Sequence, residues 1–330
     1  MILHALRRLR PTLMILLAFE PLIFDSQAVA QIDSSRVIRI VAPFTAGTPP
    51  DVISRIVANE LSGSEGWRVI VEDRPGGIST IAGVDVLNQP ADGYSIYVVT
   101  LPGSAAPALV TNMPYRLESD FTPLVKVSTS YNMLVLNPSV PAKSMSELVA
   151  LLKGQPDKLT FSSGGFGTPA HLIGELFKLQ TGVRATHVPY QQFPQAIADL
   201  ISGVNQYQFI TTLPVIELIA TGKLRALAVT APKRIAVLQD VPTVTEQGFP
   251  DLVVEDWVGF AVKSGTPTAV VAQLNDAINK ALRRPKVHDA LAKLGAEPVG
   301  GTPSEFGNFL KEQIAQCRNV VRESEIKIEQ

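Results

Sequence analysis

The chain has 330 residues, with 29 Lys and Arg against 30 Asp and Glu, a formal net charge of -1, 46% hydrophobic and 18% charged residues. Such a balance is too apolar for a disordered chain, suits one large or two medium domains, and offers no basic excess for nucleic acid. A single cysteine, Cys317, excludes an internal disulfide and a multi-cysteine metal site, and histidines 4, 171, 187 and 288 include no HExxH pair.

Residues 1–30 read as a secretory signal peptide. Arg7, Arg8 and Arg10 precede the apolar run Leu13 to Phe19, and Ala28-Val29-Ala30 is a small-x-small cleavage site before Gln31. A membrane anchor is the competing reading, but Glu20 and Pro21 interrupt a run already well short of the roughly 20 residues needed to span a bilayer. No cysteine lies near the site to carry a lipid. An exported mature protein is therefore expected.

From there strand and helix patterns alternate. Val37 to Val41 is a strand, and Pro49 to Leu61 a helix with Val52, Ile53, Ile56 and Val57 on one face. Trp67 to Val71 is a second strand, followed by a helix near Ile78 to Leu87. The Asp92-Gly93 turn leads into a third strand, Tyr94 to Val99. The alternation then restarts. Asn132 to Leu136 is extended, and Ser144-x-x-Glu147 opens a helix with a capping box. Leu159 to Phe161 leads into a Gly-rich loop and a helix from Pro169. Strands are expected near Arg184 to Val188, Tyr207 to Thr211, Leu224 to Val229 and Trp257 to Val262, with a helix near Pro214 to Ala220. Thr266-Pro267 and Thr302-Pro303-Ser304-Glu305 are helix starts. This pattern predicts an α/β protein of two similar units with a cleft between them, where open sheets bind ligands at the carboxyl ends of their strands.

Two strand-to-helix loops could hold a ligand. In Pro43-Phe44-Thr45-Ala46-Gly47-Thr48-Pro49-Pro50-Asp51, Thr48 can be the N-cap, Pro49 the first helical residue and Asp51 the acidic half of a capping box. Alternatively, free amides at the helix start hold an anion. Two prolines remove donors and Asp51 repels a carboxylate, so Gly47, Thr48 and nearby amides are the better contacts. Asp51 then fits a cap, a water bridge, or a partner for an amine or hydroxyl.

The second loop is Ser162-Ser163-Gly164-Gly165-Phe166-Gly167-Thr168-Pro169-Ala170-His171, whose small residues let a ligand approach the backbone. Gly165-x-Gly167-x-x-Ala170 superficially fits a dinucleotide fingerprint, but no acidic ribose partner follows and no Gly-Lys-Ser/Thr marks a P-loop. Phe166 either covers a ligand or packs under the loop. His171 is either satisfied locally or touches ligand. There is no Gly-x-Ser-x-Gly elbow, and Cys317 shares a helix face with Ile314 and Val321, which reads as packing.

Taken together, short stretches in order make a family resemblance. They are Pro43-Phe44-x-x-Gly47-x-x-x-Asp51, Glu72-Asp73-Arg74-Pro75-Gly76-Gly77, Ala91-Asp92-Gly93-Tyr94, Phe161-Ser162-Ser163-Gly164, His187-Val188-Pro189-Tyr190, Gly222 to Thr230, Asp240-Val241-Pro242-Thr243 and Gly295 to Pro303. The chain resembles the extracytoplasmic substrate-binding receptors of tripartite tricarboxylate transporters, the TctC or Bug family, through essentially all of the mature sequence.

The resemblance implies an α/β, two-domain periplasmic-binding-protein fold of type II-like form, each domain a mixed, mostly parallel sheet flanked by helices. It implies domain 1 at residues 31–133 and 254–330 and domain 2 at 134–253, closing on a ligand about hinges near Val125 to Leu134 and Asp251 to Val262. Family ligands are mostly small carboxylates: dicarboxylates, tricarboxylates, aromatic acids and acidic amino acids. Carried over by position, the contacts are Phe44, Thr45, Ala46, Gly47, Thr48 and Asp51 in the first lobe. Ser163, Gly164, Gly165, Phe166, Gly167, Thr168 and His171 supply the second, with Ser104, Thr211 and Thr212 added. The partners implied are integral-membrane transporter subunits, with no cofactor, no metal and no nucleic acid, and the receptor is expected to be a monomer and not an enzyme.

This chain departs from the family at Thr48-Pro49-Pro50, where a further Gly and a Thr commonly precede the Asp, leaving fewer amides and a stiffer loop. It departs again at Gln191-Gln192-Phe193, where Lys-Gly commonly follows the Tyr; the lost charge and Phe193 favour a more aromatic or less anionic ligand. Two other readings stay open: a periplasmic receptor that signals to a membrane sensor, and an exported α/β hydrolase or isomerase.

Overall fold

The computed structural model describes residues 31–190 and 192–324. The expected signal peptide lies outside the described residues, as does Gln191.

The first lobe begins β1 (Val37–Ala42), α1 (Pro49–Ser64), β2 (Arg68–Asp73), α2 (Thr80–Leu87), β3 (Ser95–Thr100), α3 (Leu101–Leu109) and α4 (Leu117–Asp120). The 16-residue β4 (Phe121–Leu136) then leaves it. The second lobe holds α5 (Met145–Gly154), β5 (Thr160–Ser163), α6 (Pro169–Thr181), β6 (Thr186–Pro189), α7 (Phe193–Ser202), β7 (Tyr207–Thr211), α8 (Ile216–Ala220) and β8 (Arg225–Val229). The chain returns through β9 (Glu255–Lys263) to α9 (Thr268–Leu282), α10 (Pro285–Lys293), β10 (Ala296–Gly300) and α11 (Pro303–Glu323).

Both sheets are mixed. In the first, β2, β1 and β3 run parallel, β9 pairs antiparallel with β3, and β4 lies between β9 and β10, antiparallel to each. In the second, β6, β5 and β7 are parallel and β4 pairs antiparallel with β7 and β8. β4 is shared, changing partners between Tyr131, opposite Glu255, and Asn132, opposite Thr211. This geometry sets which strand ends face the crossing. β4 leaves the first lobe and enters the second at Tyr131–Asn132, and β9 starts there. The antiparallel pairings therefore point the carboxyl ends of β1, β2 and β3, and of β5, β6 and β7, toward the crossing.

Strand alternation divides each lobe into two cores. Ile96 and Val98 of β3 pack with Ile38, Ile40, Leu61 and Phe260, while Tyr97 and Val99 pack with Val86, Trp257, Phe306 and Leu310. In β4, Leu134 and Leu136 join Phe161, Phe177 and Phe209; Met133 and Val135 join Leu200, Ile210 and Val229. Cys317 belongs to the Trp257–Phe306 core at 5% exposure, which agrees with packing, and burial raises its thiol pKa.

The lobes touch. Leu172 of α6 is buried in the first lobe's core beside Leu109 and Ala105. A Cβ on Gly167 would meet Ile78 Cγ2 at 2.9 Å and Leu109 Cδ1 at 3.1 Å, and one on Gly295 would meet Thr212 Cβ at 3.2 Å. At the crossing, buried Thr230 ties both strands: its N–H donates to Asn132 O (2.8 Å), its Oγ1 donates to Val254 O (3.0 Å), and Asn132 N–H donates to that Oγ1 (3.0 Å).

Local details correct some expectations. Thr266 does not cap α9; its hydroxyl donates to Lys263 O (2.7 Å) and Pro267 takes the N-cap. Ser144 accepts from Glu147 N–H, but the Glu147 carboxylate takes Lys143 N–H, so that box is half formed. Thr302 and Glu305 form the full box. No helix among the described residues is long and apolar enough to cross a membrane.

Candidate functional site

The two loops singled out in the sequence fold into the same small structure. In the first, Gly47 adopts φ +83°, Thr48 N–H (3.4 Å) and Oγ1–H (2.8 Å) both turn back to Thr45 O, and Gly47 N–H donates to Asp51 Oδ2 (2.7 Å). In the second, Gly167 adopts φ +75°, Thr168 N–H (3.4 Å) and Oγ1–H (2.7 Å) turn back to Gly165 O, and Gly167 N–H donates to His171 Nδ1 (3.1 Å). The positive φ explains why glycine holds both turns. Proline follows the threonine each time at the first helical position, where no N–H is needed.

This arrangement overturns part of the expectation. Asp51 forms no capping box with Thr48, because Thr48's own donors are committed to the turn. The Gly47 and Thr48 amides proposed for the ligand are spent inside the loop. Asp51 is 2% exposed, and its other oxygen lies 2.7 Å from Arg55 Nε, with Arg55 also reaching Asp73 (3.1 Å). Burial and then the neighbouring Asp51 push Asp73 above the usual carboxylate range. Asp51 is a brace. In the second loop Gly165 N–H donates to Ser163 Oγ (3.1 Å), so Gly165, Gly167 and Thr168 amides are likewise committed. The equivalent amides of Ala46 and Phe166, with those of Thr45 and Gly164, have no acceptor among the described residues.

Helix capping varies along the chain without dividing the helices by side, since α9 starts away from the crossing with no side-chain cap. Ser144 and Thr302 cap α5 and α11, which start at the sheet edges facing away from the crossing. Thr48, Ser79, Thr100 and Thr168 hold the N-cap positions of α1, α2, α3 and α6 at the cleft edge, and none uses its hydroxyl as a cap. Those helices direct their positive dipole ends toward the crossing, although Pro49 and Pro50 remove the first two amides of α1, and a proline also stands in the first turn of α3 and of α6.

The sequence profile described as "Tripartite tricarboxylate transporter family receptor", TctC, matches residues 53–326. The chain belongs to this family. It is 33% identical over 299 residues to protein BugT of Bordetella pertussis, covering 89% of this chain and 91% of that one. Among solved structures it is similar to R. palustris Rpa4515 with adipate (TM-score 0.81, 31% identity, 89% of this chain and 98% of that one). It is also similar to MatC of Rhodopseudomonas palustris with bound malate (TM-score 0.78, 29% identity, 87% and 99%). The mixed α/β fold with a shared long strand is thus the periplasmic-binding-protein fold of the TctC receptors.

Beside the second loop, burial keeps His171 and His187 neutral near pH 7. His171 is 2% exposed; burial, then Lys178, lowers its pKa to about 4. Accepting the Gly167 amide at Nδ1 puts its proton on Nε2. His187 stacks on it at 4.2 Å between ring centroids, with its pKa lowered to about 3 by burial, then His171 and Lys178. Phe166 stands edge-on to both rings at 5.4 Å, so it packs under the loop against the pair. Ser163 Oγ lies 2.7 Å from His187 Nε2, the distance of a nucleophile and its base. Ser163 is fully buried, however, and so acidic an imidazolium makes a poor base at neutral pH.

The remaining expected contacts are scattered. Ser104 is 1% exposed and its hydroxyl donates to Leu101 O (2.7 Å) beside Cys317 Sγ (3.5 Å); past β3 the chain becomes α3, which turns Ser104 into the lobe. Thr211 ends β7 opposite Asn132, and Thr212 packs on Gly295 across the lobes. Phe193 lies beside Gly164, while Tyr190 Oη donates to Asp199 (2.6 Å). His187, Ser79 and Thr100 were not among the expected contacts. The echo of Gly-Thr-Pro in the two loops was the signal in the sequence for their common geometry.

Proposed function

We propose that the protein is a periplasmic solute receptor that captures a small carboxylate between its lobes, performs no catalysis, and delivers the ligand to the membrane subunits of a tripartite tricarboxylate-type transporter. The carrying observation is the set of uncapped N termini of α1, α2, α3 and α6, together with the open Ala46 and Phe166 amides, at the cleft edge. Oriented amides and dipole ends stabilise an anion without a formal positive charge, which fits the neutral His171 and His187. The adipate and malate of the two similar structures support the ligand class. The lobes are residues 31–133 with 254–330, and 134–253, hinged where Thr230 ties Asn132 to Val254. The receptor acts as a monomer exported by its signal peptide.

The test is a thermal-shift panel on refolded 31–330 protein with citrate, C4 to C6 dicarboxylates, aromatic carboxylates and acidic amino acids. A ligand at about 100 times its dissociation constant stabilises by roughly 2.7 kcal/mol, a shift of about 4 °C at this size. One responding acid class, recovered unchanged, supports the reading. No response from any acid refutes it.

A further inference from the structure

One guanidinium joins Asp51 and Asp73. Arg55 Nε lies 2.7 Å from Asp51 Oδ1, and Arg55 Nη2 donates to Asp73 Oδ2 at 3.1 Å. Nε and Nη2 are neighbouring prongs of one guanidinium edge, a fork that ordinarily takes both oxygens of a single carboxylate. Two carboxyls on that fork stand side by side, within hydrogen-bonding reach of each other. Asp51 comes from the first turn of α1 and Asp73 ends β2, so their contact ties the loop after β1 to the neighbouring strand.

Each acid has one oxygen satisfied: Asp51 Oδ2 accepts Gly47 N–H, and Asp73 Oδ2 accepts from Arg55. The other two, Asp51 Oδ1 and Asp73 Oδ1, are buried without a hydrogen-bond partner. Arg55 Nε reaches Asp51 Oδ1 as an ion pair but is not aligned to donate to it. No second cation relieves the pair among the described residues. Ala42 stands opposite Asp73 in the sheet, and Arg74 reaches Asp73 only at its backbone O. Glu72 is engaged by Arg39 and Arg74. With both acids ionised, two negative charges would meet one positive charge and leave two buried oxygens bare, which is costly. One proton between the carboxyls satisfies both oxygens and leaves a single negative charge for Arg55. The raised pKa of Asp73, caused by burial and then by Asp51, agrees.

We propose that Asp51 and Asp73 share one proton in the folded receptor, and that Asp73 is thereby a positioning residue for the first loop, holding the Asp51 carboxyl where it accepts the Gly47 amide. The pair is present before any ligand arrives, so it does not depend on which solute the receptor takes. Linkage sets its sign. An acid whose pKa is raised by folding brings a proton into the folded state. This support is complete below the ordinary value of 3.8 and is lost as the pH rises through the raised one.

NMR on ligand-free 31–330 protein from pH 4.5 to 8 tests this through the protection factor of the Gly47 amide, which is corrected for the intrinsic pH dependence of exchange. In wild type it should fall as the pH rises, by up to about ten-fold per unit, and level once Asp73 has ionised. Asp73→Asn imitates the protonated acid: its amide N–H donates to Asp51, its oxygen still accepts from Arg55, and it has no proton to lose. Its protection should vary by no more than about two-fold over that fall. Asp73→Ala has neither group and should lose about ten-fold or more at pH 5. His171 and His187 shift stability with the opposite sign, and both variants keep them, so the difference from wild type belongs to the acid pair. Infrared spectra at pH 5 should show a protonated-carboxyl band that Asp73→Asn removes. Melting temperatures separate a loosened loop from a lost fold, and if Asp73→Ala does not fold, the comparison of wild type with Asp73→Asn decides. A wild-type curve that follows Asp73→Asn at every pH, with no band lost, means that both acids are ionised and overturns the pair. Equal loss of protection in Asp73→Asn and Asp73→Ala overturns it too, since Asp73 then serves only as an ionised partner of Arg55.

Discussion

Gly167 N–H donates to Nδ1 of His171, four residues on, where the first lobe has Gly47 N–H donating to the carboxylate of Asp51. One lobe fills the acceptor's place with a neutral ring, the other with an acid held by Arg55. The difference removes a negative charge from the second loop while keeping its turn.

The histidine pair makes stability pH-dependent. Folded His171 and His187 titrate at about 4 and about 3, against 6.5 without the fold. Between those values the unfolded chain binds more protons, so stability is full above about pH 6.5 and falls as the solution is acidified toward 4 and 3. The rings stack and titrate as a pair. Thermal melts from pH 8 to 4 should decline below 6.5. His171→Asn retains an acceptor for Gly167 and should flatten that decline; an unchanged slope contradicts the assignment.

Asp51→Ala removes the acceptor of Gly47 N–H and a partner of Arg55. A loss of about 1–3 kcal/mol is expected from the unpaired groups, with weaker ligand binding as the loop loosens. Asp51→Asn keeps an acceptor and should lose less in chemical denaturation. Equal losses would show that the turn does not depend on that bond.

Gly167→Ala places a methyl group 2.9 Å from Ile78 Cγ2 and 3.1 Å from Leu109 Cδ1, at φ +75°. The lobes must separate slightly or the side chains must shift. Ligand affinity should fall about ten-fold or more because the closed form is disfavoured. Small-angle scattering should show a larger radius of gyration with ligand than for wild type. A wild-type radius and affinity would mean that Ile78 and Leu109 give way.

Thr230→Val deprives Asn132 N–H and Val254 O of their shared partner at the crossing. The cost should be about 1–3 kcal/mol for buried groups left unpaired. Hydrogen exchange should rise at Asn132 and Val254 with little change at Tyr97 or Val99 in the core. Uniform exchange increases would show a general loss of stability and no local hinge effect.

By itself the sequence determined the order of β1, α1, β2 and β3, the capping box of α11, and the two Gly-Thr-Pro loops, because period, proline and glycine act within a few residues. It was silent on α3, where Pro102, Gly103 and Pro107 hide a helix made viable by burial against α11. It was silent also on the first half of β4 and on β10, whose pairing partners lie more than a hundred residues away. Within the site, the loops were legible, but the fate of each donor was not. Whether a Gly47 amide meets a ligand or Asp51, and whether Ser104 faces the cleft or the lobe, depends on turn and helix phase. The stack of His171 on His187 joins two strand-to-helix units. Only the folded lobes decide such contacts, since burial and hydrogen bonding are settled by neighbours in space.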